Sequence, residues 1–222
     1  MKRTLIISDI HGELEKFDQL LEKAEFDSNE DQLILLGDYV DRGSDPCGVL
    51  KRVIELSEQG AIVLRGNHDD MMIAAVDNKP DAWARWEKNG AIHTLRSYDP
   101  SIEKMKIPNS DTFKQHVSFI KMLDYYYETD NYIFVHAGVD PDKPIEETDP
   151  SILVWIRDPF HIGYQGEKTV VFGHTPTSYF HGKGNNDVYF GKNNIIGIDG
   201  GAVFEGQLNC LELETNHVYS VS

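Results

Sequence analysis

The sequence predicts an α/β fold, a sandwich of mixed sheets flanked by helices. Three observations carry that expectation. Apolar, mostly β-branched runs alternate with amphipathic helical spacing through the first 65 residues. Helical spacing alone then takes over, and strand-like runs return only after about residue 130. Alternation of this kind builds parallel strands with crossover helices, whereas runs of strands joined by tight turns build antiparallel ones.

Residues 4–8 read as a buried strand, and residues 13–25 as a helix with Leu14, Phe17, Leu20, Leu21 and Ala24 on one face. Residues 32–36 and 61–65 are further apolar runs. Between them residues 46–59 read as a helix, with Pro46 near its start and Gly60 just past its end. This βαβαβ opening predicts parallel strands. Residues 71–76, 81–89 and 112–123 have helical spacing. The stretch from about 70 to 130 is therefore expected to be a helical cap or insertion within one domain spanning 1–222. Strand-like runs follow at 132–135, 169–172, 188–190, 195–198, 208–213 and 217–221. Gly-Asn turns such as Lys183-Gly184-Asn185-Asn186 and Gly191-Lys192-Asn193-Asn194 indicate antiparallel hairpins among them.

A chain of 222 residues suffices for one domain with a full core. Its 37 acidic and 21 basic residues give a formal charge of −16. A surface so acidic repels nucleic-acid backbones and anionic lipid, so neither nucleic acid nor membrane is an expected partner, and a general nuclease is disfavoured. Small phosphorylated substrates stay open, because a local positive site can dominate its own cleft. No apolar run approaches a membrane span, and the first residues turn polar too soon for a secretory leader. Cys47, expected to be buried on a helix, and Cys210 form no disulfide framework. A reducing cytoplasm is the expected location. Nothing in the sequence fixes the oligomeric state.

Five polar motifs each follow a strand-like run: Asp9-Ile10-His11, Gly37-Asp38-Tyr39-Val40-Asp41-Arg42-Gly43, Gly66-Asn67-His68-Asp69, His136-Ala137-Gly138 and Gly173-His174-Thr175. Side chains at the carboxyl ends of neighbouring strands converge in open α/β sheets. Asp9 and His11, two residues apart on an extended segment, point the same way and can share one metal ion. Asp38 offers an oxygen to bridge two ions, and Asn67, His136 and His174 would serve the second. Mixed imidazole and oxygen donors suit manganese, iron or zinc better than calcium or magnesium. Two such ions can activate a bridging water for in-line attack on phosphorus. His68, beside a candidate ligand, suits a general acid, with Asp41 holding its other ring nitrogen. Arg42 offers a planar fork that matches a phosphate.

These motifs together resemble the signature of the calcineurin-like metallophosphoesterases, across nearly the whole chain. The nearest likeness is to small bacterial and phage serine/threonine protein phosphatases, with symmetrical bis(5′-nucleosyl)-tetraphosphatases related. The resemblance implies two divalent ions, manganese foremost, held by Asp9, His11, Asp38, Asn67, His136 and His174. It implies His68 as the acid with Asp41 as its partner, and Arg42 as a phosphate clamp. It also implies a second phosphate arginine within Leu153-Val154-Trp155-Ile156-Arg157-Asp158, which makes Arg157 the candidate. Ser8 stands where the family usually has glycine, and Asp69 where eukaryotic members have Glu.

The same likeness orders the functions. Val40-Asp41-Arg42-Gly43 resembles the protein-phosphatase form of the second motif, since the dinucleotide hydrolases often lack an acid at the position of Asp41. A phosphoserine/phosphothreonine phosphatase acting on phosphorylated protein is therefore the first expectation. Hydrolysis of a dinucleoside tetraphosphate is the alternative, with cap aromatics stacking on adenine. A non-catalytic scaffold would have lost ligands, and none is missing. His93, His116, His161, His181 and His217 are expected in surface or packing roles. Trp83, Trp86 and Tyr125-Tyr126-Tyr127 are expected in cap packing, and Asp69 and Asp70 as caps of the following helix.

Overall fold

Successive side chains of a strand point to opposite faces, and here that alternation sorts the apolar residues into three layers. In β1 (Arg3–Ile7) Leu5 and Ile7 join one buried cluster while Ile6 joins another. In β2 (Asp31–Leu35) Leu33 and Leu35 face the first cluster and Ile34 the second. Phe134 and Val171, from the other half of the chain, complete that second cluster, and their neighbours Ile133, Val135, Val170 and Phe172 turn to a third. The middle cluster is thus the seam between two sheets packed face to face, and the outer two lie beneath helices.

The computed structural model describes residues 2–222. One five-stranded sheet has the order β10-β9-β1-β2-β3, with β3 at Ile62–Val63, β9 at Leu208–Glu212 and β10 at His217–Val221. The other has the order β4-β5-β6-β8-β7, with β4 at Tyr126–Glu128, β5 at Tyr132–Val135, β6 at Thr169–Phe172, β7 at Tyr189–Phe190 and β8 at Ile195–Gly197. The centres, β1-β2-β3 and β5-β6-β8, are parallel, and β9, β10, β4 and β7 add antiparallel pairings. The predicted sandwich of mixed sheets is the architecture found.

Register places the site. Ile7 pairs with Leu35 at the ends of β1 and β2, so the loops carrying Asp9 and Asp38 leave the sheet side by side. Phe134 pairs with Val171, so the loops carrying His136 and His174 do likewise.

Against the first sheet pack α1 (Leu14–Lys23), through Phe17, Leu20 and Leu21, and α2 (Pro46–Glu58), through Val49, Leu50, Val53 and Leu56. Asp45 caps α2 by accepting from Gly48 N at 2.8 Å, and Pro46 occupies the first turn, where no donor is needed. Four helices follow: α3 (Asn67–Val76), α4 (Ala82–Lys88), α5 (Ala91–Tyr98) and α6 (Asp111–Lys121). Their buried Met72, Trp86, Leu95, Phe113 and Ile120 lie in the same cluster as Leu5 and Ile7. The helical stretch is continuous with the main core. On the outer face of the second sheet lie the short α7 (Pro150–Trp155) and α8 (Asp158–Gly163), and α9 (Ser178–His181) follows β6.

One strand is shorter than expected, and another lies where helix was expected. The run at 61–65 forms only Ile62–Val63, because Arg65 N turns away to donate to Asp124 O at 2.9 Å. Tyr126–Glu128, inside the stretch expected to be helical, pairs antiparallel with β5 as a sheet edge. Cys47, expected to be buried, is half-buried at the start of α2, where its N–H bonds Ser97 Oγ at 3.1 Å.

Candidate metal centre

The loops after β1, β2 and β6 turn sharply, and the turns fall on the candidate residues themselves. Asp9, His11, Asp38, Asp41, Arg42 and His174 all have φ between 45° and 70°, the left-handed region that side chains other than glycine rarely adopt. Such strain persists where the surroundings over-determine it, characteristically at functional sites. Two glycines allow the loops to close. A Cβ on Gly66 would strike the Asp38 carboxylate, and one on Gly173 would strike Asp9 and Ser8.

Asp38 occupies the centre. Its Oδ1 accepts the His68 backbone N–H at 2.8 Å, from the first turn of α3, where a helix favours negative charge. Its Oδ2 lies 3.5 Å from His11 Nε2 and 3.4 Å from His136 Nε2. Ligand atoms of His11, Asp38 and His68 lie within 4.8 Å of one another, as do those of Asp38, His136 and His174. Asp38 is therefore common to two clusters. Asn67 Oδ1 meets His136 Nε2 at 2.9 Å, and Asp9 Oδ2 accepts from His174 N at 2.9 Å and Ser8 Oγ at 2.5 Å. All six predicted ligand residues come together, and all are buried.

Backbone carbonyls fix the rings. His11 Nδ1 donates to Val40 O at 2.8 Å and His136 Nδ1 to Leu36 O at 2.9 Å, so each presents Nε2 to the centre, as ligating histidines do. His174 Nε2 is buried without a hydrogen-bond partner among the described residues. A buried, unpartnered nitrogen costs free energy unless something binds it. Three imidazoles aimed inward, with two carboxylates and an amide oxygen, fit a pair of divalent cations.

His68 Nδ1 meets Asp41 Oδ2 at 2.7 Å, with its ring edge-on to His11 at a 4.6 Å centroid distance. Arg42 Nη1 sits 2.7 Å from His11 Nε2, and its guanidinium lies over the Phe204 ring at 5.1 Å. One lone pair cannot serve both a metal and Arg42, so a metal held by His11 would displace the guanidinium from Nε2. Arg157 donates to Thr175 Oγ1 at 2.8 Å and His174 O at 3.3 Å, beside the second cluster.

The sequence matches the calcineurin-like phosphoesterase family over residues 2–203. The chain belongs to the calcineurin-like phosphoesterases. Among similar proteins, a symmetrical bis(5′-nucleosyl)-tetraphosphatase of Vibrio cholerae is 28% identical over 271 aligned positions, covering 97% of this chain and 96% of that protein. One of Buchnera aphidicola is 45% identical over 146 residues, covering 64% of this chain and 46% of that protein. A solved structure described as a candidate diadenosine tetraphosphatase superposes with a TM-score of 0.74 at 23% identity, covering 99% of this chain and 93% of the other.

The three imidazoles differ electrostatically, for burial acts to lower His136 yet the Asp38 carboxylate outweighs it and pushes the ring up to about 9. Burial is the largest influence on His11, pushed down to about 3, and on His174, pushed down to about 2, so both rings are neutral near pH 7 and keep a lone pair for a metal. Burial acts to raise the Asp38 carboxyl, yet His136, His68 and His11 outweigh it and hold the group well below the usual carboxylate range. Burial raises Asp41, against the opposing pull of His68, Thr94 and Trp86.

Sequence reasoning missed three groups. Trp86, read as packing, is fully buried and also donates its indole N–H to both Asp41 oxygens, at 2.9 and 3.0 Å. Thr94 Oγ1 donates to Asp41 Oδ1 at 2.6 Å. Neither carried a sequence signal, because the partner lies 45 and 53 positions away. Asp199 did carry one: like the five motifs, it follows an apolar run, here β8. It is buried, accepts from Gly201 N at 2.8 Å, and burial beside Asp9 raises its carboxyl well above the usual range.

Asp69 reaches back to Gly66 N at 2.9 Å as a helix cap, and also accepts from Asp38 N at 2.8 Å and Tyr39 N at 3.2 Å. Asp70 instead pairs with Arg65 at 3.1 Å. Trp83 is half-buried, and Tyr126 and Tyr127 belong to β4. His116 is buried against Tyr98 Oη at 2.6 Å and His161 is buried among aromatics, while His93, His181 and His217 are exposed. No helix among the described residues is long and apolar enough to cross a membrane.

Proposed function

We propose that this phosphoesterase hydrolyses symmetrical dinucleoside tetraphosphates, splitting the central anhydride into two nucleoside diphosphates. The carrying observation is the near end-to-end match to a symmetrical tetraphosphatase, 97% of this chain against 96% of the relative. That match reverses the order of the two readings the sequence alone favoured.

Asp9, His11 and Asp38 would hold one divalent ion, and Asp38, Asn67, His136 and His174 a second. Manganese is the proposed metal, with iron and zinc compatible with the same donors. When bound, the pair supplies a hydroxide nucleophile and polarises the phosphoryl oxygens. Arg42, released from His11, and Arg157 orient those oxygens. His68 gives the proton from Nε2 to the departing phosphate oxygen while Asp41 holds Nδ1. The reaction is proposed to take place in a reducing cytoplasm, consistent with two free cysteines.

A second reading has its own support. The buried His68–Asp41 pair is most valuable where the leaving group is a poor one, such as the alkoxide of serine or threonine. A nucleoside diphosphate needs less help. Phosphoserine and phosphothreonine in protein are therefore the alternative substrates.

A panel with added Mn²⁺ separates the readings: diadenosine tetraphosphate, phosphoserine, phosphothreonine and phosphotyrosine peptides, and p-nitrophenyl phosphate. The proposal expects the highest kcat/KM on the dinucleotide and ADP as the only nucleotide product. A phosphopeptide preferred tenfold or more, or ATP with AMP as products, would overturn it.

A further inference from the structure

Two grooves open beside the metal centre, one next to each cluster, and each pairs an exposed aromatic ring with basic side chains. The first opens beside the second cluster. Trp155, 39% exposed, stands edge-on to His174 at a 5.9 Å centroid distance. It lines a cavity of about 360 Å³ with Asn67, Tyr125, Lys79 and Arg85, and an adjoining one of about 570 Å³ with Arg85 and Ile156. The second opens beside the first cluster. Phe204, 62% exposed, lies beneath Arg42, whose Nη1 touches His11, and lines a cavity of about 420 Å³ with Lys88, Asn89 and His93. Each volume lies in the range of about 300–1,000 Å³ that small-molecule sites occupy.

Trp155 stands beside His174 of one cluster, Phe204 lies under the arginine that touches His11 of the other, and Asp38 is common to both clusters. One helix serves both grooves. α4 sends Arg85 to the first and Lys88 to the second, while its Trp86 turns inward to Asp41. Neither Arg85 nor Lys88 makes an ion pair among the described residues. In a chain of net charge −16, two cations left unpaired beside exposed aromatic rings mark places for an anion attached to a flat, stacking group.

We propose that Trp155 and Phe204 are the platforms for the two nucleobases of a dinucleoside tetraphosphate, with Arg85 and Lys88 meeting the phosphates next to each nucleoside. This rests on the dinucleotide reading of the site and supplies its specificity. Of the cap aromatics first expected to stack on the base, Trp86 is fully buried and Tyr125 is tied to Asp70 and Arg65. A platform beside each cluster gives a reason for cleavage at the middle, because stacking both bases centres the phosphate chain over Asp38.

The test uses Trp155→Ala and Phe204→Ala singly and together, with Trp155→Phe and Phe204→Tyr as aromatic replacements. Each alanine change is expected to raise the KM for diadenosine tetraphosphate roughly 5–100-fold, as loss of one stacked base does, and the aromatic replacements to restore it. ADP and inorganic phosphate are then compared as inhibitors of p-nitrophenyl phosphate hydrolysis. The double alanine variant should lose the advantage of ADP over phosphate, since either platform alone can hold a single ADP. Equal weakening of ADP and phosphate would overturn the proposal, as would a KM unmoved by both alanine changes. If the wild type fails to prefer the dinucleotide yet the ADP advantage disappears in the double variant, the platforms stand and the tetraphosphate reading falls.

Discussion

His68 Nδ1 lies 2.7 Å from Asp41 Oδ2 in a pocket where both side chains are almost wholly removed from solvent. Trp86 and Thr94 close the remaining sides of the carboxylate. Asp41 thus has its hydrogen bonds filled by donors from α4 and α5, and the imidazole is held in one orientation with Nε2 toward the centre.

His68→Asn is expected to lower turnover about 10²–10⁴-fold while leaving metal content unchanged. The loss should shrink on p-nitrophenyl phosphate, whose leaving group needs little protonation. Equal losses on good and poor leaving groups would argue against an acid role.

Trp86→Phe removes one donor from a buried carboxylate without emptying the site of its ring. It should cost about 1–3 kcal/mol, seen as a fall of about 2–12 °C in Tm by calorimetry. With a donor gone, the already raised Asp41 carboxyl climbs further, and the acid limb of the kcat–pH profile should move to higher pH. An unmoved profile with lowered Tm would leave Trp86 a packing residue only.

Asp38→Asn should abolish activity and weaken metal retention at both positions, since one carboxylate oxygen faces both clusters. Elemental analysis after gel filtration reads this directly. Loss of metal from one position alone would contradict the shared role.

His161 predicts a pH dependence of stability away from the centre. Phe160, Phe172, Tyr179 and Phe180 surround it, Asp158 stands 3.8 Å away, and neither ring nitrogen has a hydrogen bond among the described residues. Burial pushes its pKa down to about 4. The unfolded chain therefore binds the proton first, so the stability is present above about pH 6.5 and is lost as pH falls through about 4. His161→Leu should flatten the fall in Tm between pH 7 and 4.5. A parallel fall in both proteins would place the acid sensitivity elsewhere.

The strands and the five motifs were legible because both follow local rules: period-2 alternation names the layers, and each motif sits at a strand exit. Leu5, Ile6 and Ile7 already divide between two faces in the linear chain. What the sequence concealed depends on distant partners. Trp86 looks like any helix tryptophan until Asp41 is brought to its indole N–H. Arg65 looks like the end of a strand until Asp124 draws its backbone away. Asp199 shared the strand-exit position, and only the fold brings it beside Asp9. The ordering of substrates rested on the metal set and on Val40-Asp41-Arg42-Gly43, and these identify ligands and a proton-transfer partner without naming the leaving group.

Anomalous diffraction from crystals grown with Mn²⁺ tests the central claim most directly. Two peaks about 3.5–4 Å apart, one beside Asp9 and His11, the other beside Asn67, His136 and His174, with Asp38 Oδ2 between them, are the expected result. A single peak, or a pair that does not share Asp38, would contradict it.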